Sequence, residues 1–190
     1  DRHIYKVPIE GGVPERITHD LAPERGYIYY LHGVSPDGRT LLFTVRQGPG
    51  NLTGDFSAGQ TYSVWTLSLS DRHVQPFGDI RSGQPIDPIF SPDGRWIAYR
   101  ITARNQADSG VYVQPFPPTG ARYEAPRVIA DFHPVWTPDG NFLAYVPSAA
   151  SGQLAVVRVT KGTSITFGVP MIAPAVVTGR ATSGTATGLQ

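Results

Sequence analysis

His32, Asp87 and His133 are the residues of this sequence best suited to hold a ligand, because each stands near the start of one of three similar apolar segments. Imidazole nitrogens and carboxylate oxygens ligate divalent metals, and histidine also exchanges protons near neutral pH. Arg100 and Arg104 supply basic groups that could stabilise developing negative charge if they converge on such residues. A plainer role competes with these. Asp87 precedes Pro88 and His133 precedes Pro134, so both side chains could simply bond nearby backbone. Asp37, Asp93 and Asp139 form a second set of repeated acids, but each sits in a Pro-Asp-Gly phrase whose turn chemistry accounts for it. The established catalytic patterns are missing: no G-x-S-x-G elbow, no H-E-x-x-H, no phosphate-binding G-x-x-x-x-G-K-[ST], no G-x-G-x-x-G and no kinase catalytic loop. No catalytic residue is therefore assigned, and whether the chain belongs to an enzyme stays open.

The elements that must position these side chains come from one phrase used three times. It runs Val34-Ser35-Pro36-Asp37-Gly38-Arg39 before Thr40–Phe43, then Phe90-Ser91-Pro92-Asp93-Gly94-Arg95 before Trp96–Tyr99, then Trp136-Thr137-Pro138-Asp139-Gly140-Asn141 before Phe142–Tyr145. Ser or Thr suits the first position of a type I turn, Pro presets φ at the second, Asp accepts backbone hydrogen bonds, and Gly relieves strain at the fourth. Asp37, Gly38, Asp93, Gly94, Asp139 and Gly140 are thus read as structural turn residues, and the apolar flanks as paired strands. Ser35 and Ser91 lie 56 residues apart, and Ser91 and Thr137 lie 46 apart. Four-stranded propeller blades repeat at roughly 40–50 residues, so the second interval fits directly. The first carries an insertion, Gln47-Gly48-Pro49-Gly50-Asn51-Leu52-Thr53-Gly54-Asp55.

The expected fold is all-β, a β-propeller of four-stranded antiparallel blades with about three and a half blades present. A half blade occupies 1–20, with strands at His3–Ile9 and Glu15–Thr18. Whole blades follow at about 27–78, 84–130 and 132–173. The first uses Tyr27–Val34, Leu41–Arg46, Thr61–Leu69 and His73–Phe77. The second uses Ile86–Phe90, Trp96–Thr102, Val111–Phe116 and Arg127–Ala130; the third uses His133–Trp136, Phe142–Val146, Leu154–Val159 and Phe167–Ile172. The propeller segment spans 1–175, and residues 176–190 form a Gly/Thr/Ala-rich tail or the start of another blade. Trp65, Trp96, Trp136, Tyr99 and Tyr145 fall at strand positions that pack between blades, a better account of them than a sugar-stacking platform. In such a blade the Pro-Asp-Gly turns share one face of the ring. The insertion shares the other with His32, Asp87 and His133, which border the mouth of a central channel. Asn51, Asp55 and Phe56 form a candidate partner-contact loop there, and Asn51-Leu52-Thr53 also matches a glycosylation pattern of low specificity.

The phrases P-I-F-S-P-D-G-R-W-I-A-Y and P-V-W-T-P-D-G-N-F-L-A-Y resemble the PD40 (WD40-like) repeat of TolB-type six-bladed propellers. Gly110-Val111-Tyr112-Val113-Gln114-Pro115-Phe116-Pro117 with the third repeat is similar to propellers C-terminal to the kinase domain of bacterial eukaryotic-like Ser/Thr kinases. The resemblance covers most of residues 1–175. It implies a non-catalytic sensing or binding module of a larger bacterial protein in a periplasmic or extracytoplasmic setting. It also leaves two enzymatic alternatives, a substrate-gating propeller of a prolyl-oligopeptidase-type serine peptidase and a propeller lyase with a channel metal.

Composition bounds the rest. With 21 Gly and 18 Pro among 190 residues, the chain is turn-rich without being low-complexity. A net charge of +1 and no long basic run give no reason to expect nucleic acid. There is no cysteine, so neither a disulfide framework nor a thiolate zinc site can form. No apolar run approaches a membrane span of about 20 residues, so this segment is not expected to insert in a membrane. The expected partner is a protein or peptide, with no cofactor and metal binding open. If 190 residues is the natural length, the open faces of a partial ring favour a homodimer.

Overall fold

The alternation in Tyr62-Ser63-Val64-Trp65-Thr66-Leu67 becomes a strand because a period of two sends successive side chains to opposite faces. The protein is described by a computed structural model covering residues 3–18, 27–48, 59–103, 109–128, 131–147 and 153–173. Two short strands, β1 (Tyr5–Lys6) and β2 (Glu15–Arg16), pair antiparallel. The first four-stranded sheet is a meander of β3 (Ile28–Val34), β4 (Thr40–Gln47), β5 (Thr61–Ser68) and β6 (Val74–Ser82). The second follows the same order with β7 (Ile89–Phe90), β8 (Trp96–Ile101), β9 (Gly110–Pro115) and β10 (Tyr123–Glu124). The third contains β11 (Phe132–Trp136), β12 (Phe142–Val146) and β13 (Ala155–Lys161), with both β14 (Ile165–Phe167) and β15 (Met171–Ile172) paired to β13. Three such meanders, each with its first strand beside that of the next, make a partial β-propeller.

The sheets stack in series, and the burial pattern shows it. Every residue of β4 from Leu41 to Arg46 is buried, as expected for a strand covered on both faces. Leu41, Phe43 and Val45 join Ile4 and Ile17 in one cluster. Leu42 turns the other way, to Phe77, Ile86, Ile97 and Tyr99. One blade further on, Trp96, Ala98, Val111 and Val113 meet Trp136, Leu143, Tyr145 and Val157. Each large apolar side chain buried this way contributes about 1.5–3 kcal/mol, so the interfaces between blades, rather than any single sheet, hold the fold. Beyond the last interface burial weakens: Leu143 and Tyr145 are buried, while Phe142, Ala144 and Val146 on the opposite face of β12 are only half-buried.

The three turns repeat one bonding scheme. The backbone N–H of Gly38, Gly94 and Gly140 donates to the carbonyl of Ser35, Ser91 and Thr137 at 2.8, 2.9 and 2.8 Å. The Ser35, Ser91 and Thr137 hydroxyls accept from the N–H of Thr40, Trp96 and Phe142 at 2.9, 3.0 and 3.0 Å. Asp37, Asp93 and Asp139 accept from the residue two positions on. The turns also stack across blades. A Cβ added at Gly94 would stand 3.3 Å from Pro36 Cδ, and one at Gly140 would stand 3.5 Å from Pro92 Cδ.

Several strand limits differ from the expectation. The outer strand of the second blade is Tyr123–Glu124, not Arg127–Ala130. Tyr123 pairs with Val113 and sets its ring edge-on to Trp96 at 6.0 Å, so an aromatic contact selects the register. Arg127 instead bonds Glu124, and residues 129–130 lie outside the described residues. The outer strand of the third blade is broken in two around Gly168 and Pro170; Pro170 has no N–H to donate to a ladder, whereas the Gly168 N–H donates to the Arg158 carbonyl at 2.9 Å. The outer strand of the first blade runs on to Ser82 past Gly78, whose φ is 60°. The inner strand of the second blade starts at Ile89, because Asp87 breaks the extended backbone.

Candidate functional site

The inner strands β3, β7 and β11 share an irregularity at one step of the ladder. In β3, Leu31 pairs with Phe43 and Gly33 with Leu42, leaving His32 in a bulge. In β11, Phe132 pairs with Val146 and Val135 with Ala144, leaving His133 and Pro134 opposite Tyr145 alone. Between them, the Arg100 N–H donates to the Ile86 carbonyl at 2.8 Å and Ile89 pairs with Ala98, which leaves Asp87 and Pro88 opposite Tyr99. A bulge bends its strand and re-aims a side chain. Asp87 and His133 adopt φ of 51° and 49°, in the left-handed region. For residues other than glycine this costs about 1–2 kcal/mol. By register the counterpart of Asp87 and His133 in the first blade is Leu31, and His32 stands one residue further on.

These bulges bring the three expected residues together with Arg100. His133 Nδ1 lies 3.1 Å from Asp87 Oδ2, across the boundary between the second and third blades. Arg100 Nε lies 3.7 Å from the same oxygen and donates to the Pro85 carbonyl at 2.9 Å. The Arg100 side chain is 11% exposed, that of Asp87 27% and that of His133 59%, so the cluster grades from interior to solvent. His32, in the first blade, has its Nε2 2.9 Å from Thr44 Oγ1 and lies within the field of the Asp87 charge. Deeper in the first blade, Arg46 and Tyr62 are buried, the Tyr62 hydroxyl donates to Gln60 Oε1 at 3.4 Å, and the Tyr62 ring lies 6.3 Å from that of Tyr30.

Burial sets the protonation states, and neighbouring charges adjust them. Burial holds His32 below its ordinary value, partly offset by the Asp87 charge, so the ring is neutral at neutral pH. Burial opposes the Asp87 charge too. There the His133 hydrogen bond and, in the acid range where this carboxyl titrates, the charges on Arg100, His133 and His32 outweigh it and keep the carboxyl below the usual carboxylate range. Arg100 is lowered by burial and supported by Asp87.

Beside His32, between the inner strands and the Pro36 and Pro92 turns, opens an apolar slot of about 260 Å³. His32 lines it together with Val34, Leu42, Ile89, Phe90 and Trp136. His32 therefore belongs to both parts of the site. Sequence reasoning did not find the slot or place Arg100. The one available signal was a charged residue, Arg100, two steps after Ala98 on a strand that is otherwise apolar. Among the described residues no group of three or more His, Cys, Asp or Glu is arranged to hold a metal ion. Asn51, Asp55, Phe56 and Arg104 lie outside the described residues.

Against known proteins, no family model matches the chain. An uncharacterized protein of Agrobacterium fabrum is 28% identical over 104 residues, which is 54% of this chain and 29% of that protein. Among solved structures, TolB of Acinetobacter baumannii superposes with a TM-score of 0.61 at 18% identity, over 87% of this chain and 37% of TolB. The fold is that of a TolB-type propeller. A puromycin-hydrolyzing peptidase of Mycobacterium tuberculosis gives a TM-score of 0.60 at 18% identity, over 90% of this chain and 28% of the peptidase. The propeller described here thus spans less than two fifths of each of these three proteins. No helix among its described residues is long and apolar enough to cross a membrane.

Proposed function

We propose that this propeller segment is a non-catalytic recognition module that binds a protein or peptide at the mouth formed by the inner strands. One observation carries the reading: Asp87, His133, Arg100 and His32, from three blades, converge beside an apolar slot on otherwise regular strands. A rigid scaffold that presents a few polar groups beside an apolar recess is the common form of a binding site. Resemblance to the kinase-linked propellers extends the proposal to the whole protein, with the segment as the extracytoplasmic sensor half of a receptor-type Ser/Thr kinase. A second reading rests on the fold likeness to the puromycin-hydrolyzing peptidase, in which the propeller would gate substrate for a hydrolase domain elsewhere in the protein. The flanking coding sequence separates the two, since one requires a kinase domain and the other a nucleophile elbow.

Binding itself is tested by panning a displayed peptide library on the 190-residue chain and re-measuring binders against His133→Ala. This substitution removes an exposed side chain and leaves the blade cores intact. Binders of the mouth should weaken about tenfold or more, as expected for a central contact residue. Absence of any binder, or binders indifferent to residues 32, 87 and 133, would overturn the reading.

A further inference from the structure

We propose that the face carrying the Pro-Asp-Gly turns, at the opposite end of the strands from the mouth, holds a second groove that binds an acidic, proline-containing peptide segment of a partner. The proposal goes beyond the recognition reading and does not rest on it. The groove crosses the boundary between the second and third blades, has a volume of about 300 Å³, and is lined by Arg95, Trp96, Pro115, Pro117, Tyr123 and Thr163 among others. One wall is the stretch Pro115-Phe116-Pro117-Pro118, whose prolines leave it few conformations to lose when a ligand docks. At the floor the half-buried Tyr123 sets its ring edge-on to Trp96 at 6.0 Å. Aromatic-lined grooves of this kind receive proline-rich segments, which arrive already extended and so lose little entropy on binding.

The charge of the ligand follows from Arg95, the one charged residue in the lining. Its guanidinium reaches from the second blade to the Gly162 carbonyl of the third at 3.5 Å, long for a hydrogen bond, and meets no carboxylate among the described residues. The neighbouring acids are engaged elsewhere. Asp93 binds Lys161 Nζ at 2.9 Å and accepts from the Ser91 hydroxyl and the Arg95 backbone N–H, while Glu124 pairs with Arg127. The first blade differs, because Asp37 there lies in the field of Arg39, the arginine of its own turn. In the second blade Lys161 takes the place of Arg95 at the turn acid, and the Arg95 guanidinium stands over the groove instead. The Tyr123 and Thr163 hydroxyls also line it, with no hydrogen-bond partner among the described residues, and both can donate. A lining with these donors and no acid favours an acceptor, and a planar guanidinium fits a carboxylate through two parallel hydrogen bonds.

The test uses the 190-residue chain and an amidated nonapeptide of alternating Pro and Glu, labelled at its amino terminus and read by fluorescence anisotropy. It should bind about tenfold or more tightly than its Pro/Gln counterpart, as expected for a charge-assisted contact, and more tightly than an Ala/Glu peptide of equal charge. Arg95→Glu should abolish this binding and confer a preference for alternating Pro and Lys. Thr163→Trp should fill the groove and abolish it too. Both positions are exposed, so the blade cores stay intact. Arg39→Gln, at the equivalent place in the first turn, and His133→Ala, at the mouth, should change nothing. Equal binding of the Glu and Gln peptides, no preference for proline over alanine, or binding that survives Thr163→Trp overturns the proposal. So does an Arg39→Gln loss as large as that of Arg95→Glu, which would mean diffuse attraction. A loss in His133→Ala alone would place the peptide at the mouth, overturning the second groove while leaving the recognition reading standing.

Discussion

At the residue scale, His32 shows how the fold sets a protonation state. Burial against the first and second blades disfavours its charged form, and the attraction of Asp87 offsets only part of that. The folded ring therefore takes a proton at lower pH than the unfolded chain, whose value is 6.5. Below that value the unfolded state binds more protons, so stability falls as pH drops and is fully present above about 6.5. Asp87 acts in another window. Its depressed carboxyl contributes stability above the ordinary value of 3.8, lost only as pH falls below it. Chemical-denaturation midpoints should thus be lower at about pH 5 than at about pH 7.5, and His32→Gln should reduce that difference. An unchanged difference in the variant would show that His32 is not the group responsible.

At the scale of elements, the Pro-Asp-Gly turn joins the first two strands of every whole blade, and its glycine has a backbone reason. Gly38, Gly94 and Gly140 have φ of 72°, 68° and 67°, where a Cβ is disfavoured. Their surroundings differ. A Cβ at Gly38 meets nothing within 4 Å, whereas at Gly94 it stands 3.3 Å from the Pro36 ring of the preceding turn. Gly38→Ala should then cost about 1 kcal/mol from backbone conformation alone, and Gly94→Ala should cost more because a proline ring cannot swing aside. Urea midpoints of the two variants check the order. The reverse order would mean that the turns do not stack as described.

At the scale of the whole molecule, the blades are coupled through shared cores. Leu143 is fully buried among residues of the second and third blades. Leu143→Ala should leave a cavity and cost about 3 kcal/mol. Tryptophan fluorescence and far-ultraviolet circular dichroism should still report one coincident transition, because Trp96 and Trp136 lie on the two sides of that core. Two separated transitions would show that each blade holds itself together without its neighbour.

The sequence alone determined what depends on neighbours along the chain. Ser35-Pro36-Asp37-Gly38 and its two copies specify their turns through φ, local acceptors and a glycine, and the flanking alternation specifies strands, so blade number and spacing were readable without coordinates. His32, Asp87 and His133 could be nominated for the same reason, since each precedes a turn by three or four residues. Only the tertiary structure decided what these residues meet. The Asp87–His133 pair and the slot under His32 join blades roughly 46–56 residues apart, and no local pattern encodes a distance between side chains on different sheets. The outer strand of the second blade was misplaced for the same cause. Its register goes with the Tyr123 ring against Trp96, a packing contact across the sheet between residues 27 apart in the chain.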